Sequence, residues 1–196
     1  MSWRWARASV LALLALIGPA AAQTPSTVPY PKDYKRTLLR YALVDRVDGL
    51  SRDLYVSRDV FEAVKRDPKL SEFPVGALFA LDVYSTRVVR HDAKTGASVF
   101  ERGPDGHLVR SKDERTLHLM QKTRAGFGSR TWTFGGFDPA TARPLELELP
   151  GDCLLCHQAA LVSDMSFSLT LLRRFVATGE AQYGYCGQPG RQVCPF

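Results

Sequence analysis

Cysteine is absent from the first 152 residues of this 196-residue sequence and occurs only four times in all. Most of the chain must therefore hold together through an ordinary apolar core, without a disulfide framework. Long apolar runs are also missing. The one strong run, Ala8 to Ile17, stops at Gly18-Pro19, well short of the ~20 residues that cross a bilayer, so no membrane insertion is expected. Neither sign of charge dominates enough to suggest a nucleic-acid partner: the net charge is +6 and the basic residues are scattered. There is no internal repeat and no low-complexity tract. Gly126 and Gly128 lack the strand-to-helix setting of a phosphate loop. Asp45, Asp48 and Asp53, or Asp113 and Glu114, make no arrangement suited to glycoside cleavage or to two metals.

What is present begins with an export signal. Met1 to Arg7 is basic, the apolar run follows, and Ala20 and Ala22 put small residues at −3 and −1 before Gln23. Residues 1–22 are therefore predicted to be a cleaved signal peptide, which places the mature protein in a bacterial periplasm. Without Arg4 and Arg7 the balance is 24 Lys and Arg against 20 Asp and Glu, or +4. Residues 23–31, with Pro25, Pro29 and Pro31, read as a flexible lead-in, and 32–196 as one domain.

Hydrophobic spacing predicts a helix over Tyr34 to Asp48 and a short strand at Leu54-Tyr55-Val56. A helix capped by Ser57 follows, burying Val60, Phe61 and Val64 and ending at Asp67-Pro68. From Val75 the pattern becomes β: Leu78 to Tyr84, Ser98 to Glu101, His107 to Arg110, Thr116 to Lys122 and Thr131 to Gly135, separated by turn signals. A terminal helix is expected over Asp164 to Val176. The fold class is α+β, an antiparallel sheet with flanking helices. His91 and His107 sit beside turns and read as surface residues, and Lys112 to Arg115 reads as a solvated turn.

The cysteines fall into two pairs that need separate explanations. Cys186 and Cys194 enclose a turn-rich loop that an oxidising compartment would close as a disulfide, worth roughly 2 to 3 kcal/mol by chain entropy. The competing zinc site of all four thiols suffers from the wide second spacing. Cys153-Leu154-Leu155-Cys156-His157 matches C-x-x-C-H, the attachment signature of c-type haem. Its thiols lie on one face of a helical turn, able to add to the two vinyl groups of one porphyrin, and His157 is placed to ligate the iron. A redox dithiol is the alternative, but no βαβ context accompanies it.

Further elements carry a resemblance. Tyr30-Pro31-x-x-Tyr34, Arg52-Asp53-Leu54-Tyr55-Val56, Phe73-Pro74-x-Gly76, Trp132-x-Phe134 and, after the haem motif, Ser163-Asp164-Met165-Ser166-Phe167 occur in this order. Together they resemble the cytochrome P-460 family, which includes the cytochromes c′-beta, over about Tyr30 to Phe175. The resemblance implies a largely antiparallel β domain, usually a homodimer, with one covalent haem c held by Cys153, Cys156 and His157. It also implies that Leu81 stands where hydroxylamine-oxidising members carry a haem-linked lysine; leucine cannot form that link. His118 falls in about the strand where those members place an acidic proton-handling residue, so it is the candidate distal acid/base or sixth ligand.

Met120 is a weaker axial candidate than a core methionine. Met165 is expected to begin a helix and pack on the macrocycle edge, and Phe79 and Leu81 to wall the distal pocket. The expected activity is electron transfer with a redox partner protein, or binding of a small gas such as nitric oxide. The alternative is a haem oxidoreductase acting on hydroxylamine or peroxide.

Overall fold

The computed structural model describes residues 28–145, 150–189 and 194; the predicted signal peptide lies outside the described residues. The elements in chain order are α1 (Tyr34–Thr37), β1 (Leu39–Arg46), β2 (Leu50–Val56), α2 (Arg58–Arg66), β3 (Leu78–Thr86), β4 (Val88–His91), β5 (Ser98–Phe100), β6 (Arg110–Lys122), β7 (Trp132–Phe137), α3 (Pro150–Gln158), α4 (Leu169–Thr178) and β8 (Gln182–Cys186). Six strands form one sheet in the order β7-β6-β3-β2-β1-β8, and β4 and β5 form a separate hairpin. The architecture is α+β with a mixed, mostly antiparallel sheet.

Two expectations are corrected here. Strand β8 lies parallel to β1, so the sheet is not wholly antiparallel. The chain reaches β8 through α4, which packs over β1, and such a crossover brings a strand back in the same direction. The predicted helix over Tyr34 to Asp48 is only the single turn α1 followed by β1. Leu38, Leu39, Ala42 and Leu43 fit a helical period, but β1 lies between β2 and β8 and its backbone groups pair on both sides. Tertiary pairing overrides a weak local period. Helix α2 forms where expected and buries Val60, Ala63 and Val64, with Phe61 partly buried, but Ser57 makes no side-chain cap: its Oγ accepts from Leu78 N–H instead.

Period-2 alternation sorts the sheet into two faces. Leu54, Val56, Phe79 and Met120 join Val60, Val64, Leu171, Leu172 and Phe175 from α2 and α4 in the larger core. The opposite face packs Tyr55, Ala80, Leu117, Leu119 and Phe137 with Val28, Tyr34 and Leu38. Val28 is thus buried, and Tyr30 stacks edge-on against Phe137 at 5.3 Å. The described end of the predicted lead-in is packed structure.

The second face also holds a charged cluster. Asp82, fully buried, accepts hydrogen bonds from Tyr34 Oη (2.7 Å), Tyr84 Oη (2.7 Å) and Arg115 Nε and Nη2 (2.9 Å each). Lys35 Nζ lies 3.0 Å from the same carboxylate. Arg115 is therefore in a strand and an ion pair, not in a solvated turn; β6 simply begins earlier than the hydrophobic pattern revealed. His91 is exposed as expected. His107 is half-buried, its ring 4.2 Å from that of Tyr183 and its Nδ1 3.7 Å from buried Asp45.

The β1–β2 connection is short, with Gly49 N–H donating to Arg46 C=O (3.1 Å) and Gly49 at φ 80°. A Cβ there would fall 2.1 Å from the Phe100 ring. Gly49→Ala is expected to destabilise the fold by at least about 1 kcal/mol, combining left-handed strain with overpacking. Urea unfolding measures this, and an unchanged midpoint would refute it.

Candidate functional site

Helix α3 opens with Pro150 and carries Cys153, Cys156 and His157. Residues three apart are neighbours on a helix surface, so the two thiols share a face, both half-buried and neither in a disulfide. Leu154 packs into the larger core and fixes which way the helix is turned. Cys186 and Cys194 are joined as a disulfide, with Cα atoms 5.3 Å apart, so the four thiols do not form a zinc site. Among the described residues, no group of three or more His, Cys, Asp or Glu is disposed to hold a metal ion by itself.

His157 is closely held. Its Nδ1 lies 2.6 Å from the Met165 carbonyl oxygen. A carbonyl only accepts, so Nδ1 carries the proton and Nε2 keeps its lone pair. The imidazole sits between Phe134 (5.0 Å) and Phe167 (5.1 Å). Burial pushes its pKa down, against the opposing pull of the Met165 hydrogen bond. A neutral imidazole with a fixed tautomer is what iron ligation requires.

The sheet surface near α3 carries the other residues of interest. Leu81 pairs with Leu54 on one side and with His118 on the other. His118 is half-buried, with Nε2 3.1 Å from Thr116 Oγ1. Burial lowers its pKa, and the charges of Arg52 and His157 lower it further. Leu81 packs on the same core as Phe134 and Leu154. Leu81 and His118 thus share the sheet face that bears the core against which Leu154 of α3 packs.

Phe79 and Met120 are not exposed pocket wall. Phe79 meets Phe73 at 4.9 Å and Trp132 at 6.0 Å in the core, and Met120 is buried with them. Met165 does not begin a helix: α4 starts at Leu169, and Met165 lies in a turn at φ 70° with its side chain wholly buried. Its contribution is the backbone carbonyl at His157.

Arg52 is the site residue that sequence reasoning missed. The signal was a charge within the apolar alternation Leu50, Arg52, Leu54, Val56 of β2. Its Nε is buried without a hydrogen-bond partner. Burial and the neighbouring Arg46 charge pull its guanidinium down to about 10, with Asp48 and Cys156 acting the other way. A buried donor left unpaired is costly, and an acceptor brought to that face of the sheet would satisfy it. The thiol pair on one helix face and the oriented imidazole beside it fit a haem, which supplies two vinyl groups and an iron. Lys122, although on the same strand as His118, is committed elsewhere: its Nζ donates to Asp164 Oδ2 and to Gly126 O.

The family model for cytochrome P460 matches residues 31–168. The chain belongs to the cytochrome P460 family. The match spans every strand of the main sheet except β8, and within this cytochrome it includes α3 and the Asp164-Met165 turn. The family makes haem the cofactor of the domain. No curated protein matches the chain. Among the described residues no helix is long and apolar enough to cross a membrane.

Proposed function

We propose that this is a periplasmic cytochrome with one covalently attached haem c, serving electron transfer and binding of a small uncharged ligand such as nitric oxide. Cys153 and Cys156 would hold the vinyl groups as thioethers and His157 Nε2 the iron. When bound, the haem supplies a one-electron couple and an iron able to take a diatomic ligand. The chain's own part is orientation. Met165 C=O holds the His157 proton on Nδ1, Phe134 and Phe167 confine the ring, and the sheet offers apolar Leu81 where a lysine would be needed for a third covalent link.

The observation that carries this reading is His157, fixed by Met165 beside two thiols on one helix face. Leu81 favours the carrier or gas-binding form over hydroxylamine oxidation, because an apolar wall suits uncharged ligands. The second reading, an oxidoreductase acting on hydroxylamine or peroxide, draws support from His118. A half-buried imidazole whose pKa is lowered by its surroundings is neutral at neutral pH and can accept a proton.

The matured protein is expected to show a high-spin ferric spectrum, to bind nitric oxide, and to oxidise hydroxylamine no faster than free haem. In His118→Leu, nitric oxide affinity is expected to stay within about tenfold of wild type. Under the enzyme reading, turnover would be present and would fall about 10²- to 10⁴-fold in that variant. A low-spin spectrum that becomes high-spin in His118→Leu would instead make His118 the sixth ligand and exclude an open gas site. A redox partner protein and a homodimer belong to the same proposal. Salt-dependent electron-transfer rates and sedimentation test them.

A further inference from the structure

The turn between the 3-10 segment Leu161–Ser163 and α4 is built around an ion pair with no solvent exposure on either side chain. Lys122 Nζ lies 2.5 Å from Asp164 Oδ2, and it also donates to Gly126 O (2.6 Å). The Asp164 carboxylate further accepts from Phe73 N–H (2.8 Å) and from Trp132 Nε1–H (3.0 Å). Three elements distant in sequence thus converge on one carboxylate.

The backbone at that point is unusual. Asp164 lies at φ 47° and Met165 at φ 70°. Left-handed conformations are uncommon for residues other than glycine, and two in succession persist only where the surroundings hold them. A buried ion pair is weak evidence for stability, since apolar residues of similar size often do as well; its better-attested use is to fix one arrangement over others. Here the arrangement fixed is the turn, and the turn aims the Met165 carbonyl at His157 Nδ1, 2.6 Å away.

We infer that Lys122 and Asp164 are positioning residues for the axial imidazole. Their ion pair locks the Asp164-Met165 turn, and the locked carbonyl sets the tautomer, the ring orientation and the basicity of the nitrogen that faces iron. The inference rests on the haem reading above and deepens it, because the hydrogen-bond partner of a ligating histidine fixes its tautomer and ring orientation and raises its basicity. An Nδ1–H bonded to a carbonyl makes the imidazole a stronger donor and favours ferric iron. Loosening that bond favours ferrous iron.

The test uses haem-loaded protein and reads the reduction potential together with the iron–histidine stretching frequency of the ferrous form. Asp164→Asn is expected to shift the ferric/ferrous equilibrium roughly tenfold towards ferrous, about 59 mV upward for a one-electron couple, and to lower the stretching frequency. Lys122→Met separates positioning from simple charge. Removing a positive charge would by itself lower the potential, whereas release of the turn raises it, so a rise with a lower stretching frequency is expected.

Asp164→Asn strands an ammonium in the core, so its folding is followed by circular dichroism. Trp132→Phe removes one hydrogen bond from Asp164 and keeps an aromatic ring; it carries the test where the first variant fails to fold, with a smaller shift of the same sign. Wild-type potential and frequency in Trp132→Phe and in whichever charge variants fold would overturn the inference and leave the haem reading standing. A falling potential at constant frequency in Lys122→Met would do the same. A wild-type protein that matures without haem would remove both.

Discussion

A Cys153→Ser, Cys156→Ser variant, matured beside the wild type in a host competent for cytochrome c assembly, is expected to have the bare polypeptide mass and no Soret absorbance. The wild type is expected to gain one tetrapyrrole and retain it after denaturation. The expectation follows from where the two thiols stand. They share one face of α3 with His157 next to them, and Leu154 anchors that helix in the core. Loss of one thiol would leave a single link, and loss of both leaves His157 alone to hold the group. A Cys186→Ser, Cys194→Ser variant is the informative contrast. Those sulfurs are joined to each other at the end of β8, so their removal should cost roughly 2 to 3 kcal/mol of stability and leave the haem in place. Covalent haem in the first variant, or its absence from the wild type, would defeat the assignment of the two pairs.

The largest expected effect on stability is at Asp82, which is not in the site. Asp82→Ala should destabilise the fold by about 3 to 5 kcal/mol, the range for removing one partner of a buried charged cluster. The two tyrosines, Arg115 and Lys35 would lose their shared acceptor. A pH dependence follows. Burial by itself would push the Asp82 carboxyl up, but hydrogen bonds from Arg115, Tyr34, Tyr84 and Lys35 outweigh it and hold the carboxyl below its ordinary value. A carboxylate depressed in the folded state contributes its full stabilisation above its unfolded pKa of about 3.9 and loses it as pH falls through the lower folded value. Wild-type unfolding free energy should therefore drop as pH is lowered past about 4, and the Asp82→Ala variant should lack that component. Parallel curves for the two proteins would show that Asp82 does not carry it. Because Asp82 lies on the sheet face opposite His118 and Leu81, haem attachment in the variant should follow folding yield and nothing else.

Much of the β region was legible because its chemistry is local. Leu78 to Tyr84, Ser98 to Glu101, Thr116 to Lys122 and Thr131 to Gly135 alternate and are bounded by turns, and each corresponds to a strand or part of one. Helix α2 was legible for the same reason, with its apolar stripe ending at Asp67-Pro68. Strand β1 was misread because Leu38, Leu39, Ala42 and Leu43 happen to fit a helical period, and only the partners β2 and β8 decide otherwise. Strand β8 was not foreseen at all: Gln182–Cys186 is short, and its place depends on where α4 delivers the chain. The extent of β6 was underestimated because its first half is charged, and a charged strand is recognisable only once Asp82 is seen to await Arg115.

The candidate site divides the same way. A five-residue motif suffices to place Cys153, Cys156 and His157 together, because thiol spacing on a helical turn and the adjacent imidazole are fixed by covalent geometry. The order of the flanking motifs was enough to indicate the family. The sequence could not reveal that the Met165 carbonyl, not its side chain, serves His157, nor that Arg52 would be left with an unpaired buried Nε. It also could not reveal that Lys122 and Asp164, 42 positions apart, form one buried pair. Those are relations between segments that meet only after the sheet has closed, and desolvation, which gives each of them its energetic weight, does not exist until the chain is folded.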